Sequence, residues 1–450
     1  MLPDPAQVAA LAGTGPRYTS YPPATEFRPL AAATVEAELA ELGARCEPVG
    51  LYVHVPFCRS LCWYCGCNVI PSRDASRGDA YVEQLVAELG ALRRRLGARL
   101  PLGELALGGG SPHVRSARAL MWLMSAVDDA FATVRATRRT IELDPRTTAL
   151  AQVRALAAMG FTSGSLGVQD FAPAVQDAIH RHQTVAQTRG LVDAMRDAGF
   201  DDVNVDLVYG LPRQSVASLR ATVAEVIAMA PDRLALFGYA HLPERLPHQR
   251  LVEAAGPLPD AGARAGLLLA ATEQLQAAGY QAIGLDHFAR PGSPLARAAD
   301  EHRLARSFQG YVARHTDATL GIGVSAISST PRLHWQAPSS LTAWQAAVLA
   351  GAPPIARGVA CDDDDRLRGE VIAELMCYGE VELAAVAARH GVDGAAYFAD
   401  ELAALAGSPL VEIDGTMLRA TDLGRVLVRT VCQTFDRYAA TSAGRFSPTV

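Results

Sequence analysis

The chain contains no lysine; all 41 of its basic residues are arginine. A Schiff-base lysine, a pyridoxal-phosphate lysine and a Walker-A lysine are therefore excluded. No apolar run reaches 18 residues, and the opening Met1-Leu-Pro-Asp-Pro-Ala-Gln7 has neither the basic nor the apolar segment of an export signal. The expectation is a protein that does not insert in membranes and works in the cytoplasm, where thiols stay reduced. A net charge of −6 offers no basic footprint for nucleic acid. No low-complexity segment is present. What remains is ordinary globular composition, 50% hydrophobic and 20% charged over 450 residues, enough for a large core and a second domain. Recognition of anions falls to guanidinium forks, which suit carboxylates.

Four of the eight cysteines crowd into ten residues: Cys58, Cys62, Cys65 and Cys67. The first three are spaced C-x3-C-x2-C. Three thiolates can hold three irons of a [4Fe–4S] cluster and leave the fourth open, whereas an electron-transfer cluster closes that site with a fourth cysteine. A structural zinc site needs a second ligand pair a dozen or more residues on. The next cysteine here is Cys361, and His54 fits no finger spacing. Disulfides need an oxidising compartment. Cys46, Cys361, Cys377 and Cys432 are scattered and read as small buried hydrophobes.

Between residues 50 and 240 short apolar runs alternate with helical stretches. The runs are Leu51–Val55, Leu105–Gly108, Thr140–Leu143, Ser163–Val168, Val203–Val208 and Leu234–Phe237. The helical stretches lie near Asp79–Leu96, Ser116–Phe131, Thr147–Met159, Val185–Ala198 and Ser215–Met229. This alternation predicts an α/β fold with a parallel sheet, a partial (β/α)6 barrel. Chemistry in such folds lies at the C-terminal ends of strands, where the cysteine loop falls. Residues 1–45 form an N-terminal arm before the core of 46–280. A barrel extension covers 281–355, with Gly321–Ile327 its clearest strand. A helical C-terminal domain follows from 356 to 450, with a small hairpin at Leu410–Leu418. The acidic run Asp362–Asp365 reads as a solvated helix start.

The loop, placed after the first strand and carrying Trp63 and Tyr64, resembles that of the radical S-adenosylmethionine (SAM) superfamily. Gly15-Pro-Arg-Tyr-Thr-Ser-Tyr-Pro22, Tyr52-Val-His-Val-Pro-Phe-Cys58, Asp206-Leu-Val-Tyr-Gly-Leu-Pro212, Asp286-His-Phe-Ala-Arg-Pro291, Phe308-Gln-Gly-Tyr311 and Gly321-Ile-Gly-Val-Ser-Ala-Ile-Ser328 resemble, in order, blocks of the oxygen-independent coproporphyrinogen III oxidase family. The resemblance implies a [4Fe–4S] cluster on Cys58, Cys62 and Cys65. It also implies two SAM molecules per chain and a 5′-deoxyadenosyl radical that removes a hydrogen from a propionate. Two rounds convert coproporphyrinogen III to protoporphyrinogen IX. An unidentified electron donor is implied, and a monomer is expected.

The same resemblance distributes roles. Glu142 and Gly109 belong to the first SAM; Gly110, Ser111, Gln169, Arg181 and Asp206 to the second. Tyr52, Tyr64, Ala240 and Ile327 match positions lining the SAM sites, and Tyr52 and Cys67 are the catalytic residues it implies. The residues alone leave alternatives: a tight turn for Gly108–Pro112, a buried ion pair for Glu142 or Asp206, plain core for the aromatic and aliphatic positions, and a passive thiol for Cys67. Arg17 and Arg290 are the candidate clamps for substrate carboxylates. The family pattern is departed from at Leu107 (commonly Trp), Pro23 (usually Thr), Ser111 (usually Thr) and segment 329–338, which lacks a Tyr-Ala-Gln-Asn-like stretch. A haem-binding chaperone of the same family is the competing reading; such relatives tend to lack Cys65-Gly-Cys67 and the Arg17-Tyr-Thr-Ser-Tyr arm, both present here. A radical SAM methyltransferase is a third, a zinc module a fourth.

Overall fold

The apolar runs become six parallel strands in sequential order: β1 (Val49–Val55), β2 (Leu102–Gly109), β3 (Arg138–Leu143), β4 (Ser163–Gln169), β5 (Asp202–Tyr209) and β6 (Arg233–Gly238). The computed structural model describes residues 2–134, 137–308, 310–313, 316–439 and 446–450. Five helices alternate with the strands: α1 (Ala75–Leu96), α2 (Ala117–Ala130), α3 (Leu150–Ala158), α4 (Val185–Asp197) and α5 (Val216–Met229). Their starts carry side-chain caps where the sequence supplies them. Asp74 accepts from Ser76 N, Ser116 from Ala119 N, and Thr184 forms a capping box with Gln187.

The sheet has 13 strands in linear order, so it stays open. Beyond β6 lies β7 (His287–Ala289), antiparallel to it. Beside β1 lies β8 (Ala318–Ile322), a seventh parallel strand. The run Gly321–Ile327 is not one strand. Gly323 and Ser325 take positive φ of 97° and 59°, the chain reverses, and Ile327–Ser329 pairs back antiparallel.

Period two gives the sheet its character. On β5, Val203, Val205 and Leu207 are fully buried in the core, while Asp202, Asn204 and Asp206 alternate onto the inner face. Glu104, Arg138, Thr140, Ser165 and Arg233 do the same on neighbouring strands. The sheet therefore curves around a polar interior. Its base is tied by Asp202, which pairs with Arg138 and Arg233 (3.0 Å to the latter) and accepts from Ser163 Oγ at 2.7 Å.

The C-terminal region is helical with a three-stranded antiparallel sheet of Glu380–Glu382, Met417–Ala420 and Val411–Asp414. The strand Glu380–Glu382 adds to the expected hairpin. Asp362 caps helix Asp363–Tyr378, and Arg437 pairs with Asp362, Asp364 and Asp365 at 2.9–3.0 Å, so the acidic run is a helix start. Residues 446–450 run beside the N-terminal arm: Thr14 bridges Pro448, and Val450 is buried. No helix among the described residues is long and apolar enough to cross a membrane.

Glu88, buried on α1, accepts from Gly323 N at 2.8 Å and Trp344 Nε1 at 3.2 Å; burial pushes its carboxyl up to about 8 from 4.5. The unfolded chain releases this proton before the folded one does. Stability should therefore fall as pH rises through that window, by at most ~1.4 kcal/mol per unit, and level off above it. Glu88→Gln keeps an acceptor for both donors. It is expected to flatten that fall and to melt higher than the parent at about pH 8. Superimposable Tm–pH profiles would refute this.

Candidate active site

The cysteine loop is pinned at its base by parallel pairing of Phe57–Cys58 with Ile70–Pro71 and by Ser72 N donating to Cys58 O at 2.7 Å. Inside it Trp63 stacks on His180 with centroids 5.1 Å apart, and Gln249 Nε2 donates to Tyr64 O at 3.0 Å. Cys58, Cys62, Cys65 and Cys67 are all free thiols on one cavity of about 510 Å³, a usual size for a cofactor pocket.

Donors converge on the sulfurs. Ser111 Oγ lies 3.7 Å from Cys58 Sγ; Arg146 Nη2 and Arg181 Nη1 reach Cys62 Sγ at 3.3 and 3.4 Å. Both arginines are carried by Asp144, at 2.7 and 3.2 Å. Against the cost of burial they hold the Asp144 carboxyl down at about 2. Burial pushes the Cys58 thiol up to about 12, and the hydrogen bond from Cys67 holds Cys65 at about 7. Cationic donors aimed at sulfur suit thiolates bound to iron. Among the described residues no three His, Cys, Asp or Glu side chains converge as a single metal ion would require. Cys58, Cys62 and Cys65 nonetheless all line the one cavity.

The triple glycine at the end of β2 has protein reasons as well. A Cβ on Gly108 would lie 2.5 Å from Glu142 Oε1. On Gly109 it would meet the His54 ring at 2.3 Å, and on Gly110 the Pro56 backbone at 2.7 Å. Gly109, at φ 102°, also donates its N–H to Glu142 Oε2 at 3.0 Å. Burial pushes the Glu142 carboxyl up to about 7 against that bond. Tyr52 hydroxyl meets His54 Nδ1 at 3.1 Å, and His54 Nε2 meets Asn68 O at 2.9 Å, so this side of the cavity is a continuous polar chain.

Gln169 ends β4 at φ 71°, where a register shift against β5 re-aims it; left-handed backbone costs a non-glycine residue roughly 1–2 kcal/mol. Asp206 accepts from Ser165 Oγ at 2.8 Å and Asn204 Nδ2 at 2.7 Å, and burial raises its carboxyl. Arg181 is buried; besides Asp144 and Cys62 it donates to Gly167 O, and its Nε has no hydrogen-bond partner among the described residues. Arg17 reaches back from the arm to donate Nη2 to Gly238 O at 2.6 Å.

The cavity thus gathers Arg17, Tyr52, Tyr64, Gly109, Gly110, Ser111, Glu142, Gln169, Arg181 and Asp206 around the four cysteines. Three expected residues lie elsewhere. Ala240 sits at the rim, its carbonyl accepting from Gln249 at 3.2 Å, and lines a smaller neighbouring cavity with Arg17. Ile327 starts the strand that reverses away from β8. Arg290 follows β7, which runs antiparallel to β6, so it arrives at the opposite end of the barrel, exposed, its Nη1 on Ala230 O at 3.2 Å. That position removes it as a substrate clamp. Gln309, in the Phe308–Tyr311 block, lies outside the described residues.

Sequence reasoning missed Asp144 and Arg146, two and four residues beyond Glu142 at the same strand end, and the interior polar faces, whose alternation within apolar strands was the signal. It also missed Asp286, His287 and Arg306. Asp286 meets His287 Nδ1 at 2.7 Å and Arg306 Nη1 at 3.6 Å, and these partners hold its buried carboxyl far below the usual range.

Compared with known proteins, the chain matches the family model of the radical SAM superfamily over residues 52–226 and that of the HemN C-terminal domain over residues 361–427. It is 40% identical over 426 residues to the oxygen-independent coproporphyrinogen III oxidase of Bradyrhizobium diazoefficiens, with 94% of each chain covered. To that of Pseudomonas aeruginosa it is 40% identical over 439 residues, again with 94% of each covered. The solved structure of coproporphyrinogen III oxidase (HemN) from Escherichia coli, a radical SAM enzyme, superposes with a TM-score of 0.88 at 36% identity. That superposition covers 94% of this chain and 97% of the other.

Proposed function

The chain belongs to the oxygen-independent coproporphyrinogen III oxidase family of radical SAM enzymes, and from this we propose that it turns two propionates of coproporphyrinogen III into vinyl groups, giving protoporphyrinogen IX for haem synthesis. Each round releases CO2, one hydrogen atom and one electron. The observation that carries the reading is the convergence of Cys58, Cys62 and Cys65 on one cavity in a chain similar to these oxidases along 94% of its length.

The family's cofactors are a [4Fe–4S] cluster and SAM, which when bound supply the 5′-deoxyadenosyl radical that takes the hydrogen. Cys58, Cys62 and Cys65 would hold the cluster. Glu142 with Gly109 would hold one SAM; Gly110, Ser111, Gln169, Arg181 and Asp206 would hold a second, with the free Nε of Arg181 available to its carboxylate. Tyr52 and Tyr64 would wall the cofactors, and Arg17 would face the substrate from the arm. The fuller proposal is a cytoplasmic monomer fed by a one-electron donor, divided at residues 45/46, 280/281 and 355/356.

The test is an anaerobic assay of the reconstituted protein with coproporphyrinogen III, SAM and a reductant. Protoporphyrinogen IX should form, with 5′-deoxyadenosine released alongside. Cofactor release without any vinyl product would refute the substrate. Equilibrium binding should saturate near two SAM per chain, and Arg181→Ala should lose one of them. Saturation at one, unaltered by Arg181→Ala, would refute the second site.

A further inference from the structure

The end of the cavity beneath the N-terminal arm gathers positive charge. Four guanidiniums meet there: Arg17, Arg264, Arg306 and Arg429. Asp286 faces them and is already engaged by His287 at 2.7 Å. Arg429 is buried and, among the described residues, donates only to carbonyls, those of Gly15, Pro16, Ser447 and Pro448. Burial, then Arg17 and Arg306, depress its pKa to about 9. Arg264 donates to Val450 O at 2.8 Å and to the Tyr239 carbonyl at 3.1 Å. These two arginines fasten the arm and the returning tail. They leave the other pair facing the cavity.

Arg306 is the decisive member. Its side chain is 3% exposed, its Nε donates to Arg17 O at 3.0 Å, and its guanidinium lies 4.5 Å above the Tyr311 ring. Yet Nη1 stands 3.6 Å from Asp286, an ion pair too long for a hydrogen bond, and has no hydrogen-bond partner among the described residues. A buried donor left unpaired on a charged group is costly, and a ligand oxygen relieves it. Phe308, Leu295 and Tyr311 line the cavity beside it, so the charge sits at the edge of an apolar wall. An amphiphile with a flat apolar body and carboxylate arms fits that surface.

Resting on the function proposed above, we infer that Arg306 and Arg17 form a carboxylate site that anchors a propionate the reaction retains. Pairing stabilises the carboxylate anion and so opposes its departure as neutral CO2. A forked guanidinium therefore suits a propionate that must survive. Arg429 is a positioning residue here: by holding Gly15 and Pro16 it sets where Arg17 reaches.

The test uses fluorescence-monitored binding of free porphyrins to the anaerobic holoenzyme. Protoporphyrin IX carries only the retained propionates, and its dimethyl ester carries no charge. The enzyme should prefer the acid roughly ten- to a hundred-fold, and Arg306→Gln should abolish that preference while leaving iron content unchanged. Asp286→Asn, which removes the competing carboxylate, should tighten acid binding. A preference undiminished in Arg306→Gln overturns the site, as does unchanged affinity in Asp286→Asn. Preference for coproporphyrin III over its tetramethyl ester, with none between protoporphyrin IX and its ester, would place reacting propionates there and overturn the inference. Failure of the parent to bind any porphyrin would instead strike the proposed function.

Discussion

Anaerobically prepared Cys62→Ala protein is expected to lose its cluster and all turnover. The parent should hold about four irons per chain, as the C-x3-C-x2-C loop implies. Cys62 is the most buried of the loop thiols, and its sulfur receives Arg146 and Arg181 at 3.3 and 3.4 Å. Alanine removes the ligand and leaves two guanidiniums, still carried by Asp144, facing a methyl group. A cluster bound there would then lack one iron ligand and the anionic sulfur that the two cations face. Cys58→Ala and Cys65→Ala should behave alike. Iron and sulfide analysis with EPR before and after SAM decides the matter; full iron content in any one variant would sink the assignment of these ligands.

The strands were legible because each is a short apolar run between turn residues. All six parallel strands begin within three residues of their expected starts: Val49 against Leu51, Leu102 against Leu105, Arg233 against Leu234. Gly321–Ile327 failed because an apolar run carries no mark of a reversal when Gly and Ser supply the turn. Residues on the cysteine loop and the strand ends beside it were readable, since local sequence places them. Arg290 was not: its strand enters the sheet antiparallel, a property of topology that a nearby His-Phe-Ala motif cannot disclose. Arg306 was one arginine among 41, and what singles it out, a nitrogen beside Asp286 with no hydrogen-bond partner among the described residues, depends on residues twenty apart brought together by folding. The polar interior lay in plain sight in Asp202-Val-Asn-Val-Asp206. An alternation of that kind inside a strand buried on both faces signals a filled cavity rather than a solvated edge.

Cys67→Ser should separate two events that the other cysteine variants abolish together. In the structure Cys67 lines the cavity, and its hydrogen bond to Cys65 raises its thiol well above the usual range. It is thus a neutral S–H beside the three proposed ligands and apart from them. A serine keeps the shape and a donor, so cluster content, EPR signal and 5′-deoxyadenosine release should match the parent. What it removes is a soft, weak S–H bond, the kind from which a proton or hydrogen atom can move next to the substrate. If Cys67 is that relay, decarboxylated product should fall by roughly 10²-fold or more, the ordinary weight of a positioned proton donor. Measuring protoporphyrinogen formation against 5′-deoxyadenosine in the same samples gives the answer as a ratio. A normal ratio would make Cys67 a passive wall of the cavity, and loss of iron would make it a fourth ligand; both outcomes contradict the relay.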